Sequence, residues 1–286
     1  MYYITADSTG DYPEEFKFNN FYKLPMPYCV NSRHYMLGTA DSLPLPDFYK
    51  EIKSGGVPST SCVSPGTAIE YWTHTLKEGK DILHIGFSSA LSSSFKNMTL
   101  AREELLKEFP DRKICLVDSL SASIGEAMLV NEAVINRNRG KSIEDNAKYL
   151  DRIKSDIYHY GIVDNLFHLK RGGRISNLKA IIGTAIQLKP IIKINERGEL
   201  ITSEKTISRK MALKRLLERV LEHINPNSDT AIITHADCFD DAVNLQSKIL
   251  GKYPKIKIHI TPTGHILLSH TGPGFLALAF KRRKDN

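Results

Sequence analysis

The 286-residue sequence has no apolar run near the ~20 residues that a membrane-spanning helix needs. Its opening, Met1-Tyr2-Tyr3-Ile4-Thr5, lacks the basic-then-apolar profile of a secretion signal. Cysteine is scarce: Cys29, Cys62, Cys115 and Cys238 lie far apart and form no C-x-x-C pair. That excludes a disulfide scaffold and fits reduced thiols in a cytoplasmic protein. Internal repeats and low-complexity segments are missing too. With 41% hydrophobic and 25% charged residues, the composition excludes the disordered and collagenous classes. The length exceeds the ~250 residues that one core usually organises, so two domains are expected.

Nucleotide and metal signatures are also lacking. Gly140-Lys141-Ser142 ends like a phosphate-binding loop, but Ile135 stands where its first glycine belongs. Gly272-Pro273-Gly274 with Ala277 mimics a dinucleotide fingerprint, yet it precedes a strand. The ten histidines form no H-E-x-x-H and no metal-like pair with a cysteine. Neither metal nor cofactor is expected.

The net charge of +7 is concentrated in one region. Leu166 to His223 holds thirteen Lys and Arg against five Asp and Glu, and the rest of the chain is close to neutral. Such a field suits nucleic acid, an anionic membrane or an acidic partner. For Ser208 to Arg219 the plainer reading is the solvated face of a helix. No helix-turn-helix or RRM signature accompanies the charge, so nucleic acid is not an expected partner.

In the first half, short apolar segments alternate with helical stretches. Strands are expected at Tyr2–Ala6, Ile82–Phe87 and Lys113–Val117, with helices from Pro65, Ser94 and Ile124. That alternation implies a parallel sheet covered on both faces. The second half predicts a hairpin around Asn195-Glu196-Arg197-Gly198 and an amphipathic helix from Ser208 to about His223. Strands follow at Thr230–Thr234, Lys255–Ile260 and Phe275–Phe280. The expected class is α/β: a three-layer α/β/α domain with a parallel sheet over 1–154, and a two-layer α/β domain with a mixed sheet over 155–286.

Three hydroxyl-rich loops precede helices: Ser59-Thr60-Ser61-Cys62-Val63-Ser64, Ser88-Ser89-Ala90-Leu91-Ser92-Ser93-Ser94 and Asp118-Ser119-Leu120-Ser121-Ala122-Ser123. Gathered at the carboxyl ends of parallel strands, they would offer free N–H groups and hydroxyls to a small anion. Helix capping is the competing reading of each loop alone. In the second half, Lys170-Arg171-Gly172-Gly173-Arg174 places cations around a glycine pair, suited to a second anion or to a solvated turn. His270, ahead of Thr271-Gly272-Pro273-Gly274, is either held toward an anion or satisfied in the core.

Taken in order, these residues resemble the DegV family of bacterial fatty-acid-binding proteins, the binding subunits of fatty-acid kinase. The resemblance runs over nearly the whole chain. It rests on Thr5-Ala6-Asp7-Ser8-Thr9, Thr60-Ser61 before Pro65, Ser89-x-Leu91-Ser92, Asp118-Ser119, Gly172-Gly173-Arg174, Lys189-Pro190 and His270-Thr271-Gly272-Pro273-Gly274. It implies a long-chain fatty acid such as palmitate held between the two domains. Thr60 and Ser92 would bond its carboxylate, with Ser61, Ser93 and His270 close by. The resemblance also implies that Arg174 faces the kinase subunit or the transferring phosphate. Two departures flank this seat: Ser93-Ser94 where the family has Gly-Thr, and Cys62-Val63 where Gln-Pro is common.

Ser176 to Gln187 is apolar and follows the Arg171 and Arg174 cations. It suits either a core helix or one that touches an anionic membrane transiently during loading. The main rival reading is a serine hydrolase. Gly86-Phe87-Ser88-Ser89-Ala90 approaches the G-x-S-x-G elbow, and Asp164 or Asp237 with His270 would complete a triad in chain order. A basic nucleic-acid-binding or regulatory protein is a third. Phosphorylating a carboxylate requires ATP chemistry absent from this sequence, so the resemblance implies a binding subunit without catalysis of its own.

Overall fold

The structure, a computed structural model, describes residues 1–174 and 188–283. The expected helix from Ser176 to Gln187 lies outside the described residues.

The first half contains β1 (Tyr2–Asp7), β2 (Phe21–Leu24), β3 (Met26–Val30), β4 (Arg33–Leu37), α1 (Leu45–Lys53), β5 (Pro58–Thr60), α2 (Pro65–Lys77), β6 (Asp81–Gly86), α3 (Ser94–Glu108), β7 (Ile114–Asp118), α4 (Ile124–Asn138) and α5 (Ile143–Ile153). The second contains β8 (Ile157–Ile162), α6 (Leu166–Gly172), β9 (Ile191–Ile194), β10 (Leu200–Glu204), α7 (Arg209–His223), β11 (Thr230–His235), α8 (Phe239–Lys252), β12 (Lys257–Pro262), α9 (His265–Thr271) and β13 (Leu276–Lys281).

The fold is α/β, as expected. A parallel sheet has the order β2-β1-β6-β7. Central β1 is buried nearly throughout, as strands covered on both faces are. Helices α2 and α3 pack together against β6 and β7, and α4 and α5 form the other layer. A small antiparallel sheet, β4-β3-β5, stands apart. Its hairpin turns at Asn31 and Ser32, both with positive φ (49° and 62°), as a two-residue primed turn requires.

The second sheet is mixed, in the order β10-β9-β8-β13-β11-β12, with β11 and β12 its parallel pair. Helix α7 packs on β8 and β9, and α8 on β11 and β12. Helix α4 touches β1 and β6 of one sheet and β8, β11 and β13 of the other. Its residues from Ile124 to Val130 are accordingly all buried, including Glu126. One apolar core runs through this contact, from Ile4 and Ile85 to Ile232 and Phe275.

Part of the basic stretch is engaged in ion pairs. Arg215 and Arg219 both hold Glu204, and Arg209 bridges Asp164 and Asp241. On α7, Lys210 and Lys214 are exposed, while Arg209, Arg215 and Arg219 are half-buried against carboxylates of other elements. Among the described residues, no helix is long and apolar enough to cross a membrane.

Candidate functional site

A cavity of about 320 Å³ lies between the loops of the first half and β8, β9 and α9 of the second. Thr60, Ser61, Ser92, Ser93, Arg174 and His270, which the sequence singled out, all line it. One expectation needs correcting. Ser59 and Thr60 belong to β5 of the small antiparallel sheet, and the loop from Ser61 follows that strand, not a parallel one; β5 pairs with β3 at Tyr28 and Cys29, which carries Thr60 to the cavity from the side.

Local chemistry fixes each loop. Asp7, at the end of β1, accepts the Phe87 N–H (3.0 Å) where the second loop begins. Asp118, at the end of β7, accepts from Ser89 N (3.2 Å) and Leu120 N (3.1 Å), tying the second and third loops together. Ser64 caps α2 by accepting from Thr67 N. At α3 the capping is done by Ser92, whose Oγ accepts from Ser94 N (3.1 Å), while Ser93 makes no side-chain cap. Ser94 is fully buried and its Oγ accepts the Val63 N–H (3.1 Å). Asn97 donates to the Val63 carbonyl (2.8 Å) and to Cys62 Sγ (3.4 Å). The two departures from the family pattern thus meet each other and clasp the first loop to the second.

His270 stands on α9 with Nε2 2.9 Å from Thr60 Oγ1 and with Nδ1 buried without a partner among the described residues. Burial, aided by Arg174 and Arg171, pushes its pKa down to about 4, so the ring is neutral at physiological pH. With the proton on Nε2, the ring donates to Thr60 and leaves the threonine hydroxyl proton free for an acceptor in the cavity. Gly172 makes this approach possible: a Cβ there would sit 2.4 Å from His270 Nδ1. Gly173 ends α6 in the left-handed region (φ 66°), and Arg174 follows at the exposed rim, donating to the Gly172 carbonyl (2.6 Å). Away from this end the walls are mainly apolar, with Phe87, Leu91, Ile124, Ile192 and Phe275 among them.

Sequence reasoning missed a layer beneath the cavity. Thr9 and Ser123 line it from the first half. Thr9 donates to Glu126 Oε2 (2.7 Å), and Ser123 donates to Asp11. Asp11 also accepts the Gly264 N–H (2.9 Å) at the start of α9, and so positions the helix that carries His270. Burial raises the pKa of Asp11 to about 6 and that of Asp7 to about 7. Glu126 is pushed well above the usual carboxylate range by burial and then by Asp7. A glutamate in an otherwise apolar helix start was the signal that could have exposed this layer.

The hydrolase constellation is not assembled. Ser88 is fully buried and donates to the Gly198 carbonyl (2.8 Å) at the tip of the β9–β10 hairpin. Asp164 holds Arg209 (2.8 Å), Asp237 pairs with Lys53, and His270 is engaged with Thr60. Four residues of the supposed constellation are each committed elsewhere.

The sequence profile of the DegV family matches residues 1–283. The chain belongs to the DegV family. A DegV domain-containing protein of Clostridium perfringens is 38% identical over 279 residues, covering 97% of this chain and 96% of that protein. Among solved structures, a fatty-acid-binding DegV family protein of Streptococcus agalactiae superposes with a TM-score of 0.88 at 26% identity, covering 100% of this chain and 99% of that one. The fatty acid kinase B3 protein of Streptococcus pneumoniae, loaded with linoleic acid, shares the fold with a TM-score of 0.87 at 19% identity, covering 99% and 100%.

Proposed function

We propose that this protein binds a long-chain fatty acid between two domains, 1–154 and 155–286, and presents the carboxylate to a separate kinase subunit in the cytoplasm. The observation that carries the reading is the make-up of one cavity: hydroxyls of Thr60 and Ser92, a neutral His270 and the Arg174 cation among walls that are mainly apolar. Each charge-assisted bond to a carboxylate contributes ~1.5–3 kcal/mol. An acyl tail gains ~0.8 kcal/mol per CH₂ on leaving water. A tail arriving from a membrane is already out of water, so the polar end decides affinity and the apolar walls decide chain preference.

The kinase partnership draws support from the fatty acid kinase B3 protein among the structural neighbours. Arg174, exposed at the rim, is suited to meet the kinase or the transferring phosphate. Loading from an anionic membrane surface accords with exposed Phe167 beside exposed Lys170 and Arg171 on α6. Exchange with vesicles should then quicken with anionic lipid and slow with salt. Native mass spectrometry of protein purified from a bacterial host tests the whole reading. A co-purified acyl chain is expected, and a protein that neither carries nor takes up fatty acid would refute it.

A further inference from the structure

A second buried imidazole faces the same cavity. His159 on β8 has Nε2 2.7 Å from Ser121 Oγ, and among the described residues its other ring nitrogen has no hydrogen-bond partner. The ring lies deep in the molecule yet keeps accessible surface, because it lines the cavity. Room for it is built into α4: a Cβ on Gly125 would fall 1.5 Å from His159 Nε2 and 2.3 Å from Ser121 Oγ. The adjoining sheet is incomplete. β8 pairs with β13 from Ile157 to Ile162, but with β9 only at Tyr160, Gly161 and Ile162. Beside the uncovered residues lies a second cavity of about 340 Å³, lined in part by Leu120, Lys154, Tyr158, Asn195, Glu196 and Arg197. The two cavities share His159, Tyr160, Lys193 and Ile194 as their common wall.

We infer that the His159–Ser121 pair and the adjoining second cavity form a subsite for an uncharged oxygen at the far end of an acyl ligand, such as an ω-hydroxyl. The inference rests on the fatty-acid reading of the first cavity. A wholly apolar wall would leave a terminal hydroxyl without a partner, whereas a neutral imidazole with a free nitrogen can donate to it or accept from it. Burial alone holds the His159 pKa down at about 4, with no cation contributing, in contrast to His270. The ring brings no charge of its own and so suits a neutral hydroxyl, and the dicarboxylic acid tests whether Lys193 and Arg197, which line the second cavity, draw a carboxylate there instead.

The test measures affinities for the ω-hydroxy acids from dodecanoic to octadecanoic, each beside its unsubstituted parent and its α,ω-dicarboxylic analogue. In the native protein, at one or more lengths, the hydroxy acid should bind within about threefold of its parent, and the dicarboxylic acid more weakly. His159→Leu should shift the hydroxy-to-parent ratio by ~10-fold against the hydroxy acid, and His159→Gln, which keeps a donor and an acceptor, should restore it. Three results would overturn the subsite: a parent preferred more than ~10-fold at every length, a ratio indifferent to both substitutions, or a dicarboxylic acid bound best. No binding of any acid, parents included, would instead remove the fatty-acid reading, and the subsite with it.

Discussion

His270 and His159 make the same contact at two places on one cavity. Each comes from the second half of the chain and meets a hydroxyl of the first, Thr60 at 2.9 Å and Ser121 at 2.7 Å. Each is held neutral by burial, and each occupies room left by a glycine, Gly172 or Gly125. Arg174 and Arg171 help to lower the His270 pKa, whereas burial alone lowers that of His159, with Lys193 and Arg197 lining the cavity beside it. Similar hydroxyl–imidazole pairs thus stand in different surroundings, and under the proposed reading the carboxylate goes to the one beside Arg174.

The largest effect should come from deleting the hydroxyls at the charged end. Thr60→Ala with Ser92→Ala is expected to weaken fatty-acid binding by ~2–5 kcal/mol, measured by titration calorimetry, with the fold kept by circular dichroism. Unchanged affinity would move the carboxylate elsewhere in the cavity.

Asp11 offers a test of how His270 is held. Its folded pKa, raised by burial to about 6, exceeds the value of 3.8 it has when exposed. The folded state then binds the proton more firmly, so this group's contribution to stability is full below pH ~4 and is lost as pH rises through ~6. Asp11→Asn escapes that loss and can still accept the Gly264 N–H. Relative to the native protein, the variant should gain ~1–3 kcal/mol between pH 4.5 and 7.5 in thermal or denaturant melts. A gain that does not change with pH would mean that Asp11 ionises as freely in the folded state as in the unfolded one.

Smaller effects concern the cations and the ring. Arg174→Ala should lower acyl-phosphate formation with the kinase subunit present while changing fatty-acid affinity by less than ~1 kcal/mol. Equal loss in both assays would make Arg174 a carboxylate ligand. Because His270 remains neutral down to about pH 4, its protonation should not strengthen binding between pH 7.5 and 5.5. A rise over that interval, absent in His270→Gln, would show that an imidazolium meets the ligand.

What the sequence disclosed was local. The serine-rich loops could be read from composition, and the cap at Ser64 and the Gly172-Gly173-Arg174 turn because each is completed within a few residues. The alternation of strands and helices announced the parallel sheet. Helices α6 and α9 went unseen, since each has seven residues and is stabilised by packing on the other. The Ser121–His159 bond spans 38 positions and the Thr9–Glu126 bond 117, and no local pattern encodes either. They follow from α4 lying between the two sheets, a tertiary arrangement that periodicity does not specify.

The central claim is that the carboxylate sits at the His270 end. Fatty acid labelled with ¹³C at its carboxyl group, bound to the protein and followed by NMR, tests it most directly. The account predicts a carboxyl signal that shifts in Thr60→Ala and stays in place in His159→Leu. A signal that responds to His159→Leu and ignores Thr60→Ala would contradict it.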